Sequence, residues 1–352
     1  MASLTGMKAG GFYDRHSSLQ RTTFEAVYPQ FAAAIATMPL PEEPAVLGVA
    51  DYGCSEGGNS IYGLGRIVEA LRARRPHQSI AVMHTDLATN DFNHLLGLLL
   101  NPDTATYAQK HGALRPGIFP MFVGASFYGP VLPPACVHVG ISMLAVEWLS
   151  QPITHPPTDH IGIMAGDARA LAEGRAQAEA DWRLFLAERG REIVPGGRLL
   201  VSVPGRNETD WCARGPYDLL NRACRELVGE GRIDASRYAA FCFPVYARAA
   251  DELATPAAEG GLFAIEHCET LDVPIGFECA FDADGDVAAY ATALVGAWKA
   301  VSEPVLRAAL LRPGDDPASI DAVYQRAEAL VRADPQPWRF RNLEVSIQLV
   351  RR

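Results

Sequence analysis

Two aspartates, each at the end of an apolar run, are the residues best placed for chemistry in this chain. Asp51 follows the apolar segment 46–50 and is itself followed by Gly53, Gly57 and Gly58, and Asp86 follows the apolar segment 79–85. Glycines permit tight turns and let a ligand approach the backbone closely. A carboxylate at the end of a strand accepts hydrogen bonds from a ribose diol. This pattern indicates a nucleoside-type ligand.

The glycine turn differs from the known phosphate-binding patterns. Gly53-x-x-x-Gly57-Gly58 is not GxGxxG, and no Lys-Ser/Thr pair follows it. A pyrophosphate cofactor is therefore disfavoured. A ligand with a ribose, no phosphate and a cationic end suits Asp51 and Asp86, and S-adenosylmethionine has these features. On the pattern alone, the alternative is that both aspartates only cap helices or turns.

The elements that must position these groups alternate between strand and helix. We predict strands at 45–51, 79–87, 118–125, 134–144 and 198–203, with helices at 12–38, 61–74, 91–100 and 168–191. Such alternation is typical of a parallel, doubly wound sheet. Helices at 218–230 and 236–241 then break it, strands at 262–271 and 342–350 follow, and helices at 287–307 and 317–333 lie between those strands. The period-two pattern of the last strand predicts antiparallel pairing with 262–271.

The predicted fold is α/β: a Rossmann-like sheet of seven strands, the last one antiparallel, with a mostly helical cap. We expect an N-terminal lid and helix over 1–44 and a cofactor-binding core over 45–210. An inserted helical cap follows over 211–260. The segment 261–352 completes the core and adds further cap helices (285–335) and the final strand.

Composition restricts the class of protein. The chain has 352 residues, 49% of them apolar, and a formal net charge of −10. This acidic balance argues against nucleic-acid binding, which requires a basic face. The seven cysteines form no CxxC pair, so neither a zinc site nor a disulfide framework is indicated. We expect a cytoplasmic protein without a membrane-spanning segment.

Seven segments, in order, resemble the SABATH family of S-adenosylmethionine-dependent methyltransferases. They are MKAGG at 7–11, SSLQR at 17–21, ADYGCSEGGN at 50–59, TDLATNDFN at 85–93, GASFYG at 124–129, EWLSQ at 147–151 and EIVPGGRLL at 192–200. Members of this family methylate carboxylates such as salicylate or jasmonate, or ring nitrogens in caffeine synthesis. The resemblance implies carboxyl methylation of a small aromatic or isoprenoid-like acid, and a homodimer.

The resemblance also implies residue roles. Cofactor contacts are expected from Ser17, Asp51, Gly53, Cys54, Asn59, Asp86, Leu87, Ser126 and Phe127, and the acceptor pocket from Lys8, Gln20, Glu147, Trp148, Tyr217 and Tyr246. Gln20 and Trp148 are the predicted catalytic residues, each donating a hydrogen bond to the acceptor carboxylate. A carboxylate is already ionised near neutral pH, so we expect alignment rather than general-base catalysis.

Two positions depart from the family pattern. Glu147 stands where members commonly carry Met or His, and a carboxylate is unusual beside a bound anion. Either Glu147 turns away, or the acceptor carries a donor or cation there, or Glu147 is the base for a ring N–H. Cys242 replaces the Asp or Asn of a reported magnesium site, and a thiol is a poor ligand for magnesium, so we predict no metal.

Other classes of function remain open on the sequence. N-methylation of a heterocycle and a non-catalytic binder of the same fold are the two main alternatives. An oxidoreductase is disfavoured by the missing GxGxxG motif. A zinc hydrolase built on His155 and His160 is disfavoured because these residues lie in a proline-rich segment without helical spacing.

Overall fold

Seven strands form one mixed sheet through the middle of the computed structural model, which describes residues 6–103, 106–110 and 113–352. The strands of this sheet are β1 (Leu47–Tyr52), β2 (Ile80–Asp86), β5 (Ile118–Gly124), β6 (Val137–Met143), β7 (Ile193–Pro204), β8 (Phe263–Asp272) and β9 (Leu343–Arg351). A separate two-stranded ribbon consists of β3 (Gln109–Lys110) and β4 (Ala113–Leu114). Residues 1–5 of the predicted lid lie outside the described residues.

The order of the strands is β5-β2-β1-β6-β7-β9-β8. All pairs from β5 to β7 are parallel, and β9 is antiparallel to both β7 and β8. The predicted fold class, with seven strands and an antiparallel last strand, is therefore confirmed. The predicted antiparallel pairing of the last strand with 262–271 is confirmed: β9 pairs with β8, which forms the edge of the sheet.

Eleven α-helices are present among the described residues. They are α1 (Phe12–His16), α2 (Ser18–Thr37), α3 (Gly58–Arg74), α4 (Phe92–Leu99), α5 (Ala168–Glu192), α6 (Arg214–Gly229), α7 (Ala235–Ala239), α8 (Ala250–Glu259), α9 (Gly276–Asp284), α10 (Val287–Leu310) and α11 (Ala318–Ala333). The single helix predicted over 12–38 is divided at Ser17, whose backbone is not helical (φ −106°, ψ 31°). None of these described helices has the length and apolar character needed to cross a bilayer.

Helices cover both faces of the sheet, which explains why its central strands are apolar throughout. On one face Phe31 of α2 and Ile67 of α3 share a buried core with Val49 of β1. On the other face Trp182 of α5 and Leu253 of α8 share a core with β7 and β9. Residues 250–259, which we predicted as part of the inserted cap, therefore fold as a helix that packs on the sheet.

The cap has a hydrophobic core of its own above the carboxyl ends of the central strands. It joins α6, α7, α10 and α11 through buried side chains such as Leu220, Tyr238, Leu306 and Tyr324. These helices lie far apart in sequence from the glycine turn at 53–58. The cap thus supplies one wall of the space above the sheet, and the glycine turn supplies the opposite wall.

Candidate active site

A cavity lies where β1, β2 and β6 end, between the glycine turn, α2 and the cap. Counting its open mouth, it contains about 1350 Å³ of space not filled by protein. Its lining includes nine of the predicted site residues: Gly53, Asp86, Leu87, Ser126, Phe127, Gln20, Glu147, Trp148 and Tyr217. Ligands of open α/β sheets bind at this edge of the strands, and the size is sufficient for a nucleoside and a small acceptor.

The glycine turn joins the ends of β1 and β2. The amides of Gly53 and Cys54 both donate to the carbonyl of Thr85, at 2.9 and 3.0 Å. Gly53 has φ +106°, and a Cβ there would lie 2.4 Å from the Cβ of Ala145. Glycine is required at this position both by its backbone conformation and by the close approach of the neighbouring loop.

Asp86 is held by backbone amides on both sides. Its two carboxylate oxygens accept hydrogen bonds from the amides of Ser55 and Leu87, each at 2.7 Å. Burial raises the pKa of Asp86, and these two hydrogen bonds oppose that rise. The side chain is therefore fixed at the cavity wall, where its remaining lone pairs are available to hydroxyl donors of a ligand.

Four of the predicted cofactor residues lie behind the cavity wall. Asp51, Cys54, Ser17 and Asn59 are not among the lining residues. Asn59 donates to both the carbonyl and the hydroxyl of Ser17, each at 2.9 Å, so it joins the start of α2 to α3. Asp51 is 5% exposed, and its Oδ1 has no hydrogen-bond partner among the described residues. Burial raises its pKa to about 7, the Ser60 hydroxyl lowers it, and Asp86 raises it further.

A hydrogen-bonded cluster of Asp14, Glu56 and His94 attaches α1 to the glycine turn. Glu56 accepts from the amides of Gly11 (2.7 Å) and Asp14 (3.2 Å). Asp14 accepts from the amide of Gly58 (3.0 Å) and is paired with His94 Nε2 (2.9 Å). These groups lie within 4.8 Å of one another. The carboxylate oxygens of Glu56 and Asp14 are occupied by these hydrogen bonds, which connect the N-terminal segment to the glycine turn.

Gln20 and Trp148 line the same cavity from two different elements, α2 and the loop after β6. Gln20 lies on α2, and its buried Oε1 has no hydrogen-bond partner among the described residues. Trp148 follows the sharp turn at Leu144, which has φ +52°. The hydroxyl of Tyr128 donates to the carbonyl of Trp148 at 2.6 Å, and a guanidinium nitrogen of Arg248 donates to Val146 O at 2.9 Å. The Trp148 loop is thus held rigidly at its backbone.

Three further predicted acceptor residues have different positions. Tyr217 lines the cavity, with its ring edge-on to Phe243 and Trp298. Tyr246 does not line it, because its hydroxyl donates to Glu252 at 3.2 Å beside α8, and the prediction that it lines the acceptor pocket is wrong for this geometry. Lys8 also lies outside the lining, since its ammonium pairs with Glu303 of α10.

A family model described as "SAM dependent carboxyl methyltransferase" matches residues 5–352. The chain belongs to this family. The cofactor of the methyltransferase is therefore S-adenosylmethionine. The cavity fits that ligand on independent grounds, because Asp86 presents a fixed carboxylate beside Leu87 and Phe127.

Curated relatives and a solved structure agree with this membership. The methyltransferase is 28% identical to a salicylate carboxymethyltransferase of Clarkia breweri over 95% of this chain and 94% of that one. It is 30% identical to the O-methyltransferase acrG of Aspergillus aculeatus over 75% of this chain and 70% of that one. A loganic acid methyltransferase solved with SAH superposes with a TM-score of 0.82 at 22% identity, covering 98% of each chain, which confirms the fold.

Glu147 is buried in the wall of the methyltransferase cavity. It is 5% exposed, and its Oε2 has no hydrogen-bond partner among the described residues. Burial raises its pKa to about 8, while its own backbone amide and Arg248 lower it. The prediction that Glu147 turns away to solvent or to a partner is therefore not supported for Oε2. The other two interpretations, a donor on the acceptor or a base, both keep it at the site.

Sequence reasoning missed many of the lining residues, among them Tyr13, Trp298, Asn342 and Glu344. Tyr13 is 8% exposed, and burial together with Glu147 and the nearby aspartates raises its pKa. Its position in the same N-terminal segment as Ser17 was a usable signal. Glu344 carried no such signal, because the polar residues of β9, Glu344, Ser346 and Gln348, alternate with its apolar ones.

Proposed function

We propose that the protein transfers a methyl group from S-adenosylmethionine to the carboxylate of a small acid with an aromatic or isoprenoid-like body, giving a methyl ester. The single observation that supports this substrate best is the composition of the acceptor side of the cavity. Trp148, Tyr217, Phe243, Trp298 and Phe340 line it with apolar rings, and Gln20 and Trp148 bring hydrogen-bonding groups to it.

The residues of the chain act by binding and alignment. S-adenosylmethionine supplies a methyl group activated by a positively charged sulfur. Gln20 and Trp148 orient the carboxylate through neutral N–H donors, which fix one oxygen without neutralising its charge. The aromatic wall excludes water from the reacting atoms. Because the nucleophile is ionised at neutral pH, no residue has to remove a proton.

The decisive experiment offers the protein labelled S-adenosylmethionine with a panel of aromatic and isoprenoid carboxylic acids. Formation of S-adenosylhomocysteine together with a base-labile methyl ester is the expected result. Trp148→Ala serves as the control for site-dependent turnover. Failure of every acid while S-adenosylhomocysteine still binds would reject carboxyl methylation.

N-methylation of a ring nitrogen is the second candidate, and Glu147 is the observation that favours it. In its ionised form, a carboxyl group with a pKa of about 8 is basic enough to accept a proton from a ring N–H. An N-methyl product resists alkaline hydrolysis, whereas a methyl ester does not. The same assay, run with azaheterocycles, therefore separates the two reactions.

We further propose that the enzyme is a cytoplasmic homodimer that does not bind nucleic acid. The family resemblance supports the dimer, and the net charge of −10 supports the lack of nucleic-acid binding. Light scattering after size exclusion measures the mass directly: about twice 38.0 kDa is expected, and a mass of 38.0 kDa would reject the dimer.

A further inference from the structure

The charges around the cavity are unusual for a site that binds an anion. Three acidic residues line it, Asp86, Glu147 and Glu344, and none of the described lining residues is Lys, Arg or His. The nearest cation on the Glu147 side is Arg248, which is 1% exposed and donates instead to the carbonyls of Val146 (2.9 Å) and Ala178 (3.1 Å). The acceptor side therefore holds two buried carboxyl groups, and no cation among the described lining residues can pair with either of them when it is ionised.

Two buried polar groups on this side have free hydrogen-bonding capacity. Glu147 Oε2 and Asn342 Nδ2 have no partner among the described residues, although the two side chains are only 5% and 1% exposed. Buried polar groups are nearly always paired in native proteins, and an unpaired one costs stability. Unpaired groups that face a cavity indicate a ligand that supplies their partners.

Glu344 lies close to the residues expected to hold the acceptor. It accepts hydrogen bonds from Ser202 Oγ (3.3 Å) and Thr23 Oγ1 (3.5 Å). Thr23 follows Gln20 by three residues on α2, so the two side chains share one face of that helix. Asn342 precedes Glu344 by two residues and lines the same cavity. The second acidic residue therefore lies on the Gln20 side of the cavity. Burial raises its pKa, and it is close enough to Glu147 that the charge of Glu147 raises the pKa further.

We propose that the acceptor of this enzyme is an amino-substituted carboxylic acid, whose amino group lies against Glu147 and Glu344 while its carboxylate is held by Gln20 and Trp148. The inference rests on the proposed function for the position of the carboxylate. An acid without a hydrogen-bond donor at this point would leave Glu147 Oε2 without a partner, and it would bring its own negative charge next to two buried carboxyl groups.

An amino group relieves both difficulties. As an ammonium it stabilises the ionised form of Glu147, and as a neutral amine it donates a hydrogen bond to Glu147 Oε2, which otherwise has no partner among the described residues. Burial raises the pKa of Glu147 to about 8, which shows how poorly its charged form is stabilised without such a partner. A hydrogen bond to a charged group in such a site is worth roughly a 10- to 100-fold difference in affinity.

The test compares isosteric pairs of acids. The three aminobenzoates are matched with the three toluates, and the three (aminomethyl)benzoates with the three ethylbenzoates, so that each pair differs in a nitrogen donor and little in shape. Calorimetry measures their binding to the protein saturated with S-adenosylhomocysteine. We expect at least one amino isomer to bind about tenfold or more tightly than its carbon isostere.

Variants assign this preference to the two carboxyl groups. Glu147→Gln and Glu344→Gln should each reduce it to about threefold or less. Glu208→Gln, an exposed residue of the loop before α6, removes the same charge outside the cavity and should leave the preference unchanged. Affinity for S-adenosylhomocysteine and the Tm of each variant show that the fold and the cofactor half are intact.

Three results would overturn the inference. The carbon isosteres bind as tightly as every amino-substituted acid of the panel, or the preference for the amino-substituted acids survives both variants. The third is that Glu147→Gln weakens the binding of S-adenosylhomocysteine as strongly as it weakens the binding of the amino-substituted acids. Product analysis is independent of these outcomes. If the amino-substituted acids bind preferentially but give no base-labile ester, the inference is supported and carboxyl methylation is rejected.

Discussion

The two halves of the cavity are built in different ways. In the cofactor half, backbone groups fix the site. The amides of Ser55 and Leu87 hold Asp86, and Gly53 brings two strand ends together. In the acceptor half, side chains come from α2, the loop after β6, α6, α10 and β9, and several of their polar atoms have no partner among the described residues.

The difference explains which half can change during evolution. A site made of backbone amides tolerates few local substitutions, because the turn conformation itself is the binding group. A site made of scattered side chains changes its specificity when one residue changes, as the presence of Glu147 beside Trp148 illustrates. The predictions below test whether effects on cofactor and acceptor separate along this division, and they are ordered from the largest effect to the smallest.

Asp86→Ala should weaken S-adenosylhomocysteine binding by about 100-fold or more. The substitution removes an acceptor for ligand hydroxyls and leaves two backbone donors unpaired, each worth about 1–3 kcal/mol. Calorimetry measures the affinity. Asp91→Ala is the matched control, because Asp91 only accepts from the amide of His94 at the start of α4. Unchanged cofactor binding by folded Asp86→Ala would contradict the assignment.

Gln20→Ala and Trp148→Phe should each lower turnover by about 10- to 100-fold, because each removes one oriented donor. Affinity for S-adenosylhomocysteine should change by less than about threefold. Trp338→Phe is the control, since Trp338 packs against the cap core and does not line the cavity. If the two cavity variants lose cofactor affinity and retain turnover per bound cofactor, the division into halves is incorrect.

Lys8→Met should raise the acceptor KM by about two- to fivefold, the range expected for a partly exposed ion pair. Lys8 joins the N-terminal segment to α10 in two ways: its ammonium forms an ion pair with Glu303, and its backbone amide donates a hydrogen bond to Ala300 O (3.0 Å). Its neighbours Gly6 and Met7 line the cavity, so loosening the segment opens the acceptor half.

A double-mutant cycle checks this interpretation. Adding Lys8→Met to Glu303→Gln should cause little further loss, because the partner is already absent. Lys299→Met is the control, since Lys299 also pairs with Glu303 but lies on α10 itself. Equal effects of Lys8→Met and Lys299→Met on KM would show that the ion pair matters only for the cap.

The sequence allowed residues within short local motifs to be placed at the cavity, but not residues whose position depends on long-range packing. Gly53 and Asp86 lie within short motifs whose local geometry follows from residue type, so the turn and the fixed carboxylate could be expected. Glu344 reaches the cavity only because β9 inserts between β7 and β8, a long-range pairing that local pattern does not specify. Tyr246 was expected in the acceptor pocket but lies outside the cavity lining, because the direction of its side chain depends on how the loop before α8 packs.

The smallest predicted effect is a pH-dependent stability difference for Glu147→Gln without ligand. Burial raises the pKa of Glu147 from 4.5 to about 8, so between these values the folded state keeps a proton that the unfolded chain has lost. The free energy of unfolding therefore falls as pH rises from about 4.5 to about 8, and glutamine removes this loss. Thermal melts should show the variant gaining a few degrees on the wild type across that range.

Glu208→Gln provides the baseline for these melts, because Glu208 is exposed and its replacement removes one carboxyl group outside the cavity. Asp51 and Glu344 contribute pH dependence of the same sign, but they are present in both proteins, so the difference isolates Glu147. A Tm difference that stays constant from pH 5 to pH 9 would mean that Glu147 is charged or paired in the free enzyme. The acceptor half would then resemble the cofactor half in having its polar groups satisfied before any ligand binds.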